Sequence, residues 1–120
     1  MASRILIVED SALVVDALRV LLTDAGYEVD AAATVAEAVE RASANPVDVM
    51  LLDLTLPDGH GLEIMESLRN AGALPRATLA MTGHNDSRAR RSCLEAGCAE
   101  VLLKPVPISE LLRQIERQLA

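Results

Sequence analysis

Five side chains that could bind a cation or a phosphoryl group each stand at the end of a short apolar run. Glu9 and Asp10 follow the first run, Asp53 follows a later one, and Thr82 and Lys104 end two more. A carboxylate at the end of an apolar segment is costly to desolvate unless a cation or a hydrogen-bond donor neutralises it. These side chains therefore predict a polar site, provided that the fold brings the ends of the runs together.

Five apolar or alternating segments are typical of β-strands. They lie at residues 5–8, 27–32, 49–52, 77–81 and 101–103. Short runs bounded by turn residues favour strands over helices, and the alternation in the second segment predicts an edge strand. Pro57, Asp58, Gly59 and Gly61 stop the third strand at once.

Apolar residues at helical spacing predict helices between these strands. Ser11 can cap the first helix and Gly26 can end it. The apolar face of this helix is expected to consist of Leu13, Val14, Ala17, Leu18, Leu21 and Leu22. Thr34 and Glu37 have the spacing of a capping box, which opens a second helix that runs to about residue 44.

Three further helices follow the same rules. The third begins near Gly61 and ends at about Asn70, and the fourth, capped by Asn85 or Asp86, reaches Gly97. The fourth helix carries Arg88, Arg90 and Arg91. The apolar stripe of the fifth is formed by Ile108, Leu111, Leu112, Ile115 and Leu119.

Strands that alternate with helices predict an α/β fold with a parallel sheet and helices on both faces. The length of 120 residues predicts a single domain that spans residues 1–120. Ligands of such open sheets bind beyond the carboxyl ends of the strands, and all five candidate side chains stand at such ends.

Composition excludes several functions. The net charge of −7 argues against direct binding to a nucleic-acid backbone. No apolar run approaches the length of about 18 residues that a membrane span needs, and no signal-peptide core is present, so a cytoplasmic protein is expected. The two cysteines, Cys93 and Cys98, are then expected to be buried free thiols.

The candidate side chains favour magnesium and phosphoryl chemistry. If the first and third strands are neighbours, Glu9, Asp10 and Asp53 crowd into one crevice, and a cation must offset their repulsion. Mg²⁺ fits best because it takes oxygen ligands and bridges carboxylate to phosphate. Thr82 can donate to a phosphoryl oxygen, and Lys104 can pair with Asp53 or with a phosphoryl group on it.

The chain resembles the receiver domain of two-component response regulators. The matching motifs are residues 5–10, ending in Glu9-Asp10; residues 51–54 around Asp53, with Leu56-Pro57-Asp58 and Gly61; Met81-Thr82; and Lys104-Pro105. Each motif alone is weak, but the ordered set covers about residues 4 to 119 and is highly specific.

The resemblance implies a flavodoxin-like (βα)5 three-layer sandwich with the strand order 2-1-3-4-5. It implies that Asp53 is the phosphoacceptor and that Mg²⁺ is held by Glu9, Asp10, Asp53 and the backbone carbonyl of Thr55. Thr82 and Lys104 would contact the phosphoryl group, and the Lys104–Pro105 bond would be cis.

The family also implies partners. The phosphoryl group would come from a sensor histidine kinase or a histidine phosphotransfer protein. The face formed by the fourth helix, fifth strand and fifth helix would control an output and could form a homodimer. Arg88, Arg90 and Arg91 on that face are typical of a solvated helix surface and are the first choice for contact with an acidic partner. The domain would catalyse only its own phosphorylation and dephosphorylation.

One position departs from the family pattern. Receiver domains usually have Tyr or Phe three residues before the lysine, and here that residue is Val101. We hypothesise that output depends on movement of the fourth helix and its preceding loop without a rotating aromatic ring. Thr55 and His84, which flank the site, are expected to tune the lifetime of the acyl phosphate.

Other functions remain as alternatives. A Mg²⁺-dependent phosphatase with an aspartyl-phosphate intermediate usually has a second acid where this chain has Thr55. A pseudo-receiver that binds proteins without phosphate would have no need of the complete polar set. A cofactor-binding flavodoxin would need a phosphate-binding loop after the first strand. His60 and His84 are expected to be loop residues, since neither has a second histidine at ligand spacing.

Overall fold

A computed structural model describes residues 2–56, 59–60, 62–83 and 87–120. Five parallel strands form one sheet: β1 (Arg4–Val8), β2 (Glu28–Ala32), β3 (Val49–Asp53), β4 (Ala77–Thr82) and β5 (Glu100–Leu103). Their order across the sheet is β2-β1-β3-β4-β5. This confirms the predicted topology and places β2 at an edge, as the alternation in its sequence indicated.

Five helices connect the strands: α1 (Ala12–Asp24), α2 (Val35–Ala44), α3 (Leu62–Asn70), α4 (Ser87–Glu95) and α5 (Ile108–Leu119). Two predicted N-caps are confirmed, because the Ser11 side chain accepts from the amide of Val14 and the Thr34 side chain accepts from the amide of Glu37. The predicted caps Asn85 and Asp86 lie outside the described residues. No helix among the described residues is both long and apolar enough to cross a bilayer.

The central strands separate two apolar cores because successive side chains point to opposite faces of the sheet. Leu6, Val8, Met50 and Leu52 pack in one core with residues of α2, α3 and α4. Ile5, Ile7, Val49 and Leu51 pack in the other with residues of α1 and α5. The three-layer arrangement predicted from the sequence is thus confirmed.

The predicted face of α1 was partly wrong. Val15, Leu18 and Leu22 pack into the core, whereas Leu13, Val14, Ala17 and Leu21 are exposed. Leu13 is 83% exposed and Val20, which was not assigned to any face, is 69% exposed. Apolar residues occupy most of the circumference of this helix, so their spacing did not identify the side that meets the sheet.

The loop after β3 also differs from the prediction. Residues Thr55–Leu56 and Gly59–His60 form a small antiparallel hairpin in which Thr55 pairs with His60. Sequence reasoning treated this segment as an irregular loop because Pro57, Asp58 and Gly59 are turn residues. Three of the flanking loop residues discussed above, Pro57, Asp58 and Gly61, lie outside the described residues.

Candidate functional site

Three carboxylates meet at the carboxyl edge of the sheet. Strands β1 and β3 are paired, with Val8 opposite Leu52, so the residues that follow them leave the sheet side by side. One oxygen from each of Glu9, Asp10 and Asp53 lies within 4.8 Å of the others. Glu9 and Asp53 are buried whereas Asp10 is exposed, so the cluster opens to solvent on one side.

Lys104 provides the positive charge of this cluster. Its Nζ lies 3.1 Å from Oδ1 of Asp53 and 3.3 Å from Oε2 of Glu9. The lysine stands directly after β5, and the peptide bond between Lys104 and Pro105 is cis, as the resemblance implied. One ammonium group therefore joins two buried carboxylates that are 44 residues apart in the sequence.

Burial and charge shift the pKa of two of these groups. Burial raises the pKa of Glu9, and the neighbouring Asp53 raises it further, against the opposing effects of the Ser11 amide and Lys104. For Lys104, burial alone would lower the pKa, but the hydrogen bond and charge of Asp53, followed by those of Glu9, outweigh it and raise the pKa. The lysine therefore stays charged beside the two acids.

Thr82 is the last residue of β4 and is half-buried. Its carbonyl accepts a hydrogen bond of 2.7 Å from the amide of Lys104, and Asp53 lies beside Met81 in the neighbouring strand. The backbone thus brings Thr82, Asp53 and Lys104 to adjacent strand ends. Thr55 begins the small hairpin two residues after Asp53, and His84 lies outside the described residues.

Sequence reasoning missed two features of the site. The amide of Ser11 donates to Oε1 of Glu9 at 3.2 Å and so fixes the carboxylate whose other oxygen meets Lys104. The helix-cap pattern identified Ser11 but gave no sign of this contact. The second feature is a groove of about 490 Å³ lined by Glu9, Val14, Leu18, Met81, Lys104, Pro105, Val106 and Leu111. It runs from the polar cluster between α1 and the segment that joins β5 to α5.

The donor set fits a hard divalent cation. Carboxylate oxygens are the ligands that Mg²⁺ prefers, and an open side leaves room for the waters that it keeps. Softer metals prefer sulfur or imidazole ligands, and both cysteines are buried in the apolar core on the α4 side of the sheet. The cluster therefore suits Mg²⁺ better than zinc.

Comparison with known proteins gives a consistent result. The sequence profile described as response regulator receiver domain matches residues 5–116. The chain is 34% identical over 111 residues to the transcriptional regulatory protein KdpE of Mycobacterium tuberculosis, covering 92% of this chain and 48% of that protein. It is 35% identical over 116 residues to the response regulator MprA of Mycobacterium ulcerans, covering 96% and 49% respectively. The chain thus spans about half the length of the curated relatives it matches.

Solved structures agree with the sequence relatives. A CheY-like response regulator receiver domain protein from Methanospirillum hungatei JF-1 matches with a TM-score of 0.90 at 29% identity, over 99% of this chain and 94% of that one. The receiver domain of the sensor histidine kinase PA1611 from Pseudomonas aeruginosa PAO1 matches with a TM-score of 0.87 at 29% identity, over 98% of both chains. That second structure has a magnesium ion coordinated in its active site cleft.

Proposed function

This chain belongs to the response regulator receiver domain family, and on that premise we propose that Asp53 is the residue that accepts the phosphoryl group. A receiver domain is a phosphoacceptor signalling switch. The observation that carries the choice of Asp53 is its place at the end of β3, buried, 3.1 Å from the Lys104 ammonium and within one cluster with Glu9 and Asp10. No other carboxylate among the described residues contacts Lys104 except Glu9.

The proposed reaction is an in-line displacement at phosphorus. A carboxylate oxygen of Asp53 attacks the phosphorus of a phosphohistidine, a bond forms between that oxygen and phosphorus, and the bond from phosphorus to the histidine nitrogen breaks. Such transfers depend on positioning and charge neutralisation more than on covalent help from the protein. The donor would be a sensor histidine kinase or a histidine phosphotransfer protein.

Residues around Asp53 then have distinct roles. Lys104 neutralises charge on the transferred group from a position that is already fixed by Glu9. Thr82 would donate a hydrogen bond to a phosphoryl oxygen, and Glu9, Asp10, Asp53 and the Thr55 carbonyl would hold Mg²⁺. When bound there, Mg²⁺ supplies positive charge that offsets the charge of the phosphoryl oxygens.

A small phosphodonor tests the assignment of the acceptor. With Mg²⁺ and acetyl phosphate, the intact protein should gain one phosphoryl group that is labile in base and resistant to acid. Asp53→Asn, which keeps the size of the side chain, should gain none, and Lys104→Ala should react roughly 100-fold more slowly because it removes one preorganised charge. A stable gain on Asp53→Asn, or on another residue of the parent, would contradict the proposal. Rapid turnover of the phosphodonor would instead indicate a phosphatase, and no reaction would indicate a pseudo-receiver.

The protein donor is proposed to dock over α1. The groove beside this helix begins at Glu9 and Lys104 and continues over apolar Val14, Leu18 and Val106, and the outer surface of α1 exposes Leu13 and Val20. Exposed apolar residues that adjoin a reactive site are typical of a surface that a partner covers transiently. Leu13→Asn should therefore slow transfer from a cognate phosphohistidine protein while leaving the rate with acetyl phosphate unchanged. Equal loss with both donors would contradict docking on this helix.

Several further properties are proposed from family membership. Residues 1–120 are proposed to fold as one receiver domain, located in the cytoplasm, whose output passes through α4, β5 and α5, with a homodimer as one form of that output. We propose no enzymatic activity beyond gain and loss of the phosphoryl group, and no direct contact with nucleic acid. Size-exclusion chromatography with and without acetyl phosphate checks the dimer.

A further inference from the structure

Helix α4 packs few apolar side chains against the rest of the molecule. Among its side chains that the structure describes, Cys93 alone is buried, and the others, including Arg90, Arg91 and Leu94, are exposed. By contrast, α3 buries Ile64, Met65 and Leu68. Contacts other than apolar packing must therefore contribute much of what holds α4 in place.

The carboxyl-terminal end of α4 is held firmly. Gly97 has a φ of +107°, the amide of Cys98 donates to the carbonyl of Cys93 at 3.0 Å, and the amide of Gly97 donates to that of Leu94 at 3.1 Å. This is the Schellman pattern, which brings the side chains at positions 93 and 98 together, and both are buried. Arg69 of α3 adds a hydrogen bond of 2.8 Å from Nη2 to the carbonyl of Ala96.

Arg90 joins the middle of α4 to the edge strand β5. Nη2 of Arg90 lies 2.9 Å from Oε1 of Glu100, and Nη1 donates to the carbonyl of Val101 at 3.3 Å. Oε1 of Glu100 also accepts from the amide of Val101 at 3.1 Å. We call these contacts of Arg90 with Glu100 and Val101 the Arg90 clasp.

The clasp lies where it can govern movement of α4. The helix is anchored at its carboxyl-terminal end, its amino-terminal end follows β4 and Thr82, and Arg90 lies between the two. Strand β5 is an edge strand, so the guanidinium also covers polar backbone that would otherwise be open. Val101 is the position at which the family usually carries its aromatic switch residue, and here its backbone is the partner of an arginine.

We propose that the Arg90 clasp holds α4 in its resting position and is the contact that opens when the domain is switched. The arginine and glutamate are 54% and 29% exposed, and ion pairs at such sites shift an equilibrium by roughly fivefold or less. A restraint this weak can be overcome by a new hydrogen bond at the phosphoryl group. The two positions of α4, closed and open, are then close enough in free energy for phosphorylation to change which one is populated. The link to phosphorylation rests on the proposed function, but the restraint itself does not.

Thiol reactivity measures the restraint without any phosphoryl group. Cys93 lies three residues after Arg90, before the turn at Gly97, and is buried in the closed state. The rate at which iodoacetamide alkylates it therefore reports opening of α4. Arg90→Ala and Glu100→Gln should each raise this rate two- to fivefold. Digestion after Glu95 separates Cys93 from Cys98, so the two thiols can be followed individually.

Arg91→Ala is the matched control, because it removes the same charge from the same helix at an exposed residue that makes no ion pair within the described part of the chain. It should leave the labelling rate of Cys93 unchanged. If Arg90→Ala and Arg91→Ala label at equal rates, or if Arg90→Ala labels like the parent, the clasp does not restrain α4 and the proposal is overturned.

Phosphorylation by acetyl phosphate then tests the link to the switch. Because the open state is more populated, Arg90→Ala should be phosphorylated two- to fivefold faster than Arg91→Ala. Faster labelling of Cys93 without faster phosphorylation would make the clasp purely structural and would overturn its role in switching. Failure of the parent to take a phosphoryl group would refute the proposed function instead, while the labelling rates would still decide whether Arg90 restrains α4.

Discussion

Helices α1 and α4 each follow a strand that ends at the candidate site, but they are attached to the sheet in opposite ways. Helix α1 packs Val15, Leu18 and Leu22 into one core and also exposes apolar side chains on its outer surface. Helix α4 buries Cys93 among its described side chains and exposes arginines. The first is fixed by apolar burial, and the second is positioned largely by hydrogen bonds and an ion pair.

The difference separates two tasks. Burial of several large side chains contributes stability that no single polar contact can match, so α1 is held more firmly than α4. Exposed ion pairs contribute little, with a median of about 0–1 kcal/mol, so the position of α4 can respond to one added charge. The helix proposed for docking and the helix proposed for output thus differ in how firmly they are held.

The largest expected effect concerns the anchored end of α4. Burial, together with the nearby Cys93, raises the pKa of Cys98 to about 12, whereas a free cysteine has a pKa near 8.5. At pH 8 the thiolate fraction of Cys98 is then roughly 10³-fold lower than that of a free thiol, so iodoacetamide should label it very slowly. The rate should rise about tenfold per pH unit because the thiolate is the reactive form, until the protein unfolds. Labelling of the native protein as fast as in urea would mean that this end of α4 is open.

Substitutions of buried side chains in α1 and in α4 should lower the free energy of unfolding by different amounts. Leu22→Ala in α1 should lower the free energy of unfolding by about 3 kcal/mol, because it leaves a cavity at a fully buried position. Cys93→Ala in α4 should cost about 1 kcal/mol, because a smaller group is lost. Urea denaturation measures both, and equal losses would contradict the contrast between the helices.

Magnesium should stabilise the segment between β1 and α1, which contains Glu9 and Asp10, and leave α4 largely unaffected. At ten times its dissociation constant, Mg²⁺ should add about 1.4 kcal/mol to the free energy of unfolding, and Asp10→Asn should remove most of this gain. Hydrogen exchange should slow at the start of α1, which follows Glu9 and Asp10, more than within α4. Equal protection of both helices would indicate that the cation already couples to α4 before phosphorylation.

The smallest effects are expected on the outer surfaces. Val20→Asn on α1 and Arg91→Gln on α4 change exposed side chains, and each should alter the free energy of unfolding by no more than about 0.5 kcal/mol. Thermal melts under identical conditions check this. A larger loss for Val20→Asn would mean that this residue is covered, for example by a second copy of the chain.

The strand ends were predictable because their sequence signals are local. Short apolar runs identified the strands, and the rule for ligands of parallel sheets selected Glu9, Asp10, Asp53, Thr82 and Lys104. The strand order was implied by family resemblance and is confirmed by the pairing of β1 with β3. The metal and phosphoryl roles of these residues stay predictions, which the experiments above test.

Tertiary contacts were not predictable in the same way. The spacing of apolar residues in α1 could not identify the buried side, because Leu13 and Leu22 are equally apolar and only packing distinguishes them. The contact between Arg90 and Glu100 joins residues ten apart across a turn, and no periodic pattern marks it. The hairpin at Thr55–Leu56 was missed because the turn residues beside it are also typical of irregular loops.

Gly97 gives the anchored end of α4 an unusual sensitivity to sequence. A Cβ atom built at this position would lie 3.2 Å from Nη2 of Arg69, and the backbone φ of +107° disfavours any side chain. One added methyl group would therefore strain the turn and press on the guanidinium that donates to Ala96. Under the proposed switch, α4 moves about this anchored end, so the end must stay fixed. It stays fixed only because residue 97 has a hydrogen atom in place of a side chain.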